Sequence, residues 1–135
     1  MDNLIKSSQN LIPLEDERDI LTAWLCDQRS PTTRSAYGRD LKNFFIFITK
    51  GQEPTPELVA EFLQLSRFNA TALVLKYKAY LFTQDLKQST VNRRVAAIKA
   101  LVKYARRLGK CDFTLEEIHS EKPELYRIPL GLVPN

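Results

Sequence analysis

Apolar residues recur at intervals of three and four along most of this chain, and this spacing predicts α-helices. A first helix is expected to begin with the acidic residues 15–17, because acidic groups suit the positive end of a helix dipole. A second, longer helix is expected from about Thr32 to Lys50. The apolar positions are Ile20, Leu21, Trp24 and Leu25 in the first helix, and Tyr37, Leu41, Phe44, Phe45 and Ile48 in the second.

Two more helices are expected after a break at residues 51–54. Thr55 suits the N-cap of the third helix, and Pro56 suits its first position. A loop near residues 67–69 is expected to lead to a fourth helix, from about residue 70 to 85. The apolar positions are Leu58, Val59, Phe62 and Leu63 in the third helix, and Leu73, Tyr77, Tyr80 and Leu81 in the fourth.

The last helix has the most regular apolar stripe. Ser89 and Thr90 are expected to cap it, and Gly109 to end it after Leu108 in the left-handed conformation. Its buried positions are Val91, Val95, Ile98, Val102 and Ala105. No segment alternates like a strand, so the predicted fold class is all-α, a bundle of four to five helices over residues 15–110. Residues 1–14 are expected to form a flexible arm, and residues 111–135 a linker or tail.

Positive charge is concentrated in one segment of the 135-residue chain. The net charge is +4, but residues 87–110 carry eight basic residues and no acidic one. Residues 1–30 and 111–135 are both net acidic. Because a concentrated basic patch attracts a polyanion far better than scattered charge does, the last helix is a candidate surface for nucleic acid.

The basic residues of the last helix lie beside its apolar stripe, with Ala96, Ala97 and Ala100 between them. They are Arg93, Arg94, Lys99, Lys103, Arg106 and Arg107. Small alanines let another surface approach, and the Ser89 and Thr90 hydroxyls add phosphate donors near the helix start. Nucleic acid is favoured for Arg93, Arg94 and Lys99, which have no acidic neighbour in the sequence. A solvated face that complements the helix dipole is favoured for Arg106, Arg107 and Lys110.

A second candidate segment opens the second helix. Thr32 and Thr33 stand at its start, and the basic residues Arg34, Arg39 and Lys42 follow on polar positions. Structural roles remain open here. Thr32 could only cap the helix, Tyr37 could only pack, and Asp40 could pair with neighbouring basic residues.

Together the two segments resemble the N-terminal core-binding domain of tyrosine recombinases, the phage-integrase superfamily. The matching residues are Thr33, Tyr37, Asp40, Leu41 and Phe44 in the first block, and Ser89, Thr90, Asn92, Arg93, Arg94, Ala97, Lys99, Tyr104, Ala105 and Gly109 in the second. The resemblance covers roughly residues 15–110. It implies a SAM-like bundle that forms one half of a clamp around duplex DNA, with a catalytic domain closing the other half.

The resemblance and the charge pattern give one set of candidate DNA-binding residues. They are Thr33, Arg34, Tyr37, Lys42, Ser89, Thr90, Asn92, Arg93, Arg94, Lys99 and Lys103. The expected partner is duplex DNA, and a recombinase catalytic domain or other recombinase protomers are further candidates. The isolated chain is expected to be a monomer.

The family's chemistry is not expected from this chain alone. Tyrosine recombinases cut DNA with a tyrosine nucleophile, and an arginine-rich site with a lysine and a His-x-x-Arg motif stabilises the phosphate transition state. His119 is followed by Ser120, Glu121 and Lys122, which does not match that motif. Tyr126 is better explained as a packing or exposed residue. The chain is therefore predicted not to be an enzyme by itself and to need no cofactor.

Other site types find little support. Cys26 and Cys111 are expected to be reduced and mostly buried thiols. A metal site is not expected, because the chain has one histidine and no Cys-x-x-Cys pair. No apolar run approaches the roughly 20 residues that span a bilayer, and the start lacks a signal peptide. The protein is expected to be soluble and cytoplasmic, and nucleoid-associated when bound to DNA.

Two other functions remain open. A helical protein-interaction module, or an accessory or inhibitory fragment that docks on a recombinase, would use exposed aromatic residues. The candidates are Trp24, Phe44, Phe45, Phe47 and Tyr104. A helix-turn-helix regulator would use the last helix for recognition, but the turn at Lys87–Gln88 lacks the usual glycine and the helix is long.

Overall fold

The computed structural model describes residues 19–120, and within that range it contains five α-helices and no strand. They are α1 (Ile20–Cys26), α2 (Pro31–Thr49), α3 (Pro56–Leu63), α4 (Arg67–Phe82) and α5 (Gln88–Arg107). The all-α prediction is confirmed. The expected arm at residues 1–14, the acidic start at residues 15–17 and Tyr126 lie outside the described residues.

Hydroxyl caps set the start of three helices. The Ser30 and Thr55 side chains accept hydrogen bonds from backbone N–H groups three residues later, and a proline follows each cap. Ser66 does the same for α4 by accepting from the N–H of Asn69 at 3.2 Å. The helix therefore begins at Arg67, and the loop predicted at residues 67–69 is wrong because these residues form the first turn.

The two ends of α5 differ in how well the sequence predicts them. The helix begins at Gln88, and its N-cap Lys87 makes no side-chain cap, so the prediction that Ser89 and Thr90 cap it is wrong. They lie inside the first turn. Gly109 has a φ of 73°, and the N–H of Lys110 donates to the carbonyl of Ala105 at 2.9 Å. This Schellman motif confirms the predicted end.

The core is built around Phe44. Its ring makes edge-to-face contacts with Phe45, Phe62 and Tyr77, at centroid distances of 5.1–5.3 Å. This cluster joins α2 to α3 and α4. The first helix, α1, packs against α2, α3 and α5. The predicted α5 stripe is buried at all five positions. Ala97 is also fully buried, so its expected place on the polar face is wrong.

The segment after α5 belongs to the packed core as far as Ile118. Its buried residues are Cys111, Phe113, Leu115 and Ile118. The Phe113 ring packs edge-to-face on Phe62, and the Lys99 ammonium donates to the carbonyl of Ile118 at 2.6 Å. The sequence predicts a linker or tail from residue 111, but the apolar residues of this segment pack on the helices as far as Ile118.

Both cysteines are free, but only one is buried. Cys26 is exposed, contrary to the prediction, because it lies in the last turn of α1 on the side away from the core. Cys111 is buried, and burial raises the pKa of its thiol. Residues 19–120 contain no group of three or more His, Cys, Asp or Glu that could hold a metal ion.

No single helix in the described range is long and apolar enough to cross a bilayer. Taken together, Pro56–Leu63 and Arg67–Phe82 have enough length and apolar residues, but the two helices are bent by 115° relative to each other.

Candidate nucleic-acid interface

A bidentate ion pair joins the two sequence blocks. Asp40 on α2 is only 1% exposed, and its carboxylate accepts from both Nη2 and Nε of Arg93 on α5, at 2.8 and 3.1 Å. This fork-on-fork geometry fixes the guanidinium direction as well as the helix spacing. The hydrogen bonds to Asp40 raise the pKa of Arg93 above its ordinary value. About half of the Arg93 side chain remains exposed to solvent.

A second guanidinium lies on the same carboxylate. Nε of Arg94 is 3.9 Å from Oδ1 of Asp40, and the Arg94 side chain is mostly buried. Two arginines thus share one carboxylate, so a net positive charge remains at this point of the α2–α5 contact. The sequence offers no acidic neighbour to these arginines within α5, and the structure supplies one from 53 residues away.

The outer side of α5 carries a basic stripe, which we define as Arg93, Lys99, Lys103, Arg106 and Arg107. Of these, Arg93, Lys103, Arg106 and Arg107 are exposed, and Lys99 is half-buried. No ion pair is found for Lys103, Arg106 or Arg107 in the part of the chain that the structure describes. The exposed Ala96 and half-buried Ala100 lie between these long side chains. A phosphate backbone can therefore approach the helix closely there.

Besides Arg93 and Arg94, three more of the candidate DNA-binding residues hold the fold together. Arg34 donates from Nε and Nη2 to the carbonyls of Leu25 and Gln28, at 3.1 and 3.0 Å, and so ties α2 to the end of α1. The Tyr37 ring stacks on the Trp24 ring, with the two ring centroids 4.9 Å apart. Lys99 anchors the segment after α5 through its hydrogen bond to Ile118.

The remaining candidates are accessible to different degrees. Lys42 is exposed, and its Nζ lies 3.6 Å from Oε2 of Glu53 in a solvent-exposed ion pair. Ser89 and Lys103 are exposed, whereas Thr33, Thr90 and Asn92 are half-buried. Arg106 and Arg107, which the sequence analysis favoured as solvated residues, share the outer side of α5 with Lys103. Their spacing of three and four residues from Lys103 was the signal that could have grouped them.

Comparison with known proteins identifies the family. The family described as "Phage integrase, N-terminal SAM-like domain" matches residues 22–109. The chain belongs to this family, whose members are the core-binding domains of tyrosine recombinases. The resemblance stated from the two sequence blocks is thereby confirmed.

Two curated relatives are tyrosine recombinases of cyanobacteria. One, from Synechocystis sp., is 48% identical over 130 residues, which is 96% of this chain and 41% of the relative. The other, from Synechococcus elongatus, is 41% identical over 130 residues, covering 96% of this chain and 40% of the relative. The chain thus spans about two fifths of the length of these relatives and leaves their catalytic domain uncovered. No solved structure matches the chain.

Proposed function

We propose that this chain binds duplex DNA as one half of a recombinase clamp, in site-specific recombination or integration in the cytoplasm. The observation that carries the proposal is the basic stripe on α5, an exposed row of cations with small residues between them and no acidic residue in the helix. Core-binding domains of integrases bind DNA, which supports this assignment. The described residues would bind and orient the duplex, and strand cutting would belong to a separate catalytic domain.

The ion pair between Asp40 and Arg93 gives this surface its geometry. Half-exposed Arg93 can reach a phosphate while Asp40 holds its guanidinium, so little side-chain entropy is lost on binding. Lys42 can exchange its exposed contact with Glu53 for a phosphate at small cost, because surface ion pairs are weak. Ser89 and the first turn of α5 add neutral donors. Arg34 and Tyr37 would act by fixing the start of α2.

The test is binding of a labelled duplex of about 30 base pairs over a range of salt concentrations. If the domain neutralises about five phosphates, log K should fall against log salt with a slope near −4.5. Fluorescence anisotropy measures both the affinity and the slope. A duplex of unrelated sequence should show nearly the same slope, since phosphate contacts carry no sequence information. An affinity that does not change with salt contradicts the proposal.

An exposed apolar stripe on α4 favours a second function, contact between recombinase protomers. Phe68, Leu75 and Phe82 are 75%, 48% and 42% exposed, and the exposed Ala72 and Ala79 lie between them. These residues follow heptad spacing, and Phe68 and Phe82 each lie seven residues from Leu75. A second copy related by a two-fold axis would therefore present a matching surface. Of the aromatic residues predicted for such a patch, Trp24, Phe44 and Phe45 are buried, and Phe47 and Tyr104 are half-buried.

We expect a Leu75→Cys variant to form a disulfide-linked dimer on a duplex that holds two binding sites. Leu75 lies at the centre of the α4 stripe, so the two-fold axis would bring it to its own copy. The exposed Cys26 is first replaced by serine. Gel electrophoresis without reductant measures the linked fraction. A Glu61→Cys variant, with its new thiol on the exposed side of α3, is the control. Equal linking of both variants contradicts the protomer contact.

A further inference from the structure

A groove of about 290 Å³ lies between the second half of α5 and the segment that follows this helix. Most of its exposed lining is apolar, and Ala100, Val102 and Leu115 contribute to it. Val102 and Leu115 belong to the packed core, so they form the floor of the groove rather than its rim. A concave apolar surface of this kind favours an occupant with apolar side chains.

The rim of the groove is positively charged. Three members of the basic stripe line it, namely Lys99, Lys103 and Arg106. Among the described residues, Glu116 is the one acidic group in the lining. Lys103 and Arg106 are exposed and make no ion pair in the described part of the chain. Lys99 donates to a neutral carbonyl, that of Ile118, so its charge is not cancelled.

DNA would use only part of this surface. A duplex presents phosphates along its outer surface, and these can pair with Lys103 and Arg106 but cannot fill an apolar floor. A peptide that carries apolar side chains next to carboxylates can use both the floor and the rim, as peptides in grooves commonly do. The groove therefore fits an acidic, partly apolar peptide better than it fits DNA.

The chain itself contains such a peptide just before α1. We define the acidic segment as residues 11–17, with the sequence Leu-Ile-Pro-Leu-Glu-Asp-Glu. It places three large apolar side chains before the only run of three acidic residues in the sequence. The acidic segment lies outside the described residues and precedes α1, which begins at Ile20 with Asp19 as its N-cap.

The lengths of the elements allow the acidic segment to reach the groove within one molecule. The first helix, α1, packs against α5. Because α5 has 20 residues, it is about 30 Å long, and no part of it is farther than that from its contact with α1. Residues 11–18 can span about 26 Å when extended. The two lengths are comparable, so a second molecule is not needed to supply the segment.

We propose that the acidic segment docks in this groove and competes with DNA for Lys103 and Arg106. Its apolar side chains would cover Val102 and Leu115, and its carboxylates would pair with the cations of the rim. The competition rests on the proposed DNA binding, whereas the docking does not. If the segment occupies the groove in about nine of ten molecules, DNA binding is weakened about tenfold, because only the open tenth can bind.

Disulfide trapping tests the docking in the absence of DNA. Pro13→Cys/Glu116→Cys places one thiol in the acidic segment and one on the groove, and the exposed Cys26 is first replaced by serine. We expect a disulfide within one molecule, measured by mass spectrometry of proteolytic fragments without reductant. The control combines the same thiols with Lys103→Glu/Arg106→Glu, which reverses the charge of the rim and should remove most of the linking.

Three results of the trapping experiment contradict the docking. The absence of a disulfide means that the acidic segment does not reach the groove. Equal linking in the charge-reversed control means that the thiols meet only because they are close in the chain's fold. Linking between two molecules, rather than within one, means that the segment docks on a second copy.

Anisotropy with a duplex of about 30 base pairs tests the competition. Neutralising the acidic segment with Glu15→Gln/Asp16→Asn/Glu17→Gln should raise affinity about tenfold, because the groove is then open in most molecules. The control neutralises three exposed acids outside the groove, Asp27→Asn/Glu57→Gln/Glu61→Gln. Both variants change the net charge equally. If both gain affinity to the same extent, net charge alone is responsible and the competition is wrong.

The outcomes also separate this inference from the proposed function. If no disulfide forms but the duplex binds with the expected salt slope, the inference is wrong and the proposed function stands. If the disulfide forms but no variant binds the duplex at low salt, the proposed function is wrong and the docking stands.

Discussion

Reversing the charge of Lys103 and Arg107 together is expected to weaken duplex binding by at least roughly a hundredfold. Both side chains are exposed on the outer side of α5 and make no ion pair within residues 19–120, so they are available to phosphates. Lys103→Glu/Arg107→Glu removes two cations and adds two repulsive charges. If each cation neutralises one phosphate, the salt slope should fall in magnitude by about 1.8.

The fold should be unaffected by this double change, because neither side chain holds another element in place. Thermal unfolding followed by circular dichroism checks this point. The control is Lys50→Glu/Lys76→Glu, which alters net charge equally at the exposed C-cap of α2 and at an exposed position of α4, both outside the basic stripe. If the two double variants lose affinity to the same extent, net charge alone governs binding and the α5 surface is not the contact site.

The helices could be predicted because their signals are local. Apolar side chains spaced three and four residues apart mark a buried helix face whatever the helix packs against. Thr55, Pro56 and Gly109 start or end a helix through contacts and backbone angles within a few residues. The start of α4 was missed for a similarly local reason. Ser66 provides the cap, but the exposed Phe68 beside it breaks the apolar pattern and favours a later start.

The contacts of the candidate site could not be predicted in the same way, because they depend on tertiary packing. Arg93 and Asp40 are 53 residues apart, and the acceptor of the Lys99 ammonium is a backbone carbonyl, which carries no side-chain signal. One clue was present. Asp40 falls three residues after Tyr37 and four before Phe44, on the apolar face of α2. A carboxylate on that face must be paired when it is buried.

These contacts also decide which variants can test DNA binding. Removing Arg93 would leave the buried Asp40 carboxylate with a single distant guanidinium. Removing Lys99 would take away one of the hydrogen bonds that hold the segment carrying Ile118. Either change would lower stability as well as charge. Lys103, Arg106 and Arg107 carry charge without such ties among the described residues, so affinity lost with them reports on the surface itself.

Replacing Asp40 with alanine is expected to lower the free energy of unfolding by about 3 kcal/mol, since removing one partner of a buried ion pair leaves the other uncompensated. Arg93 is half exposed and can turn to solvent, but Arg94 is mostly buried and would lose the only carboxylate that lies within 4 Å of it among residues 19–120. Urea unfolding measures the change. Glu53→Ala, which breaks the exposed contact with Lys42, should cost less than about 1 kcal/mol.

The double variant Asp40→Ala/Arg93→Ala separates the pair from its surroundings. If the bidentate contact is the main source of stability, the loss in the double variant should be clearly smaller than the sum of the two single losses. Additive losses would mean that Asp40 acts chiefly through Arg94. If Asp40→Ala changes the free energy of unfolding by less than about 0.5 kcal/mol, the ion pair does not hold α2 and α5 together. In that case the orientation of Arg93 toward DNA would need another cause.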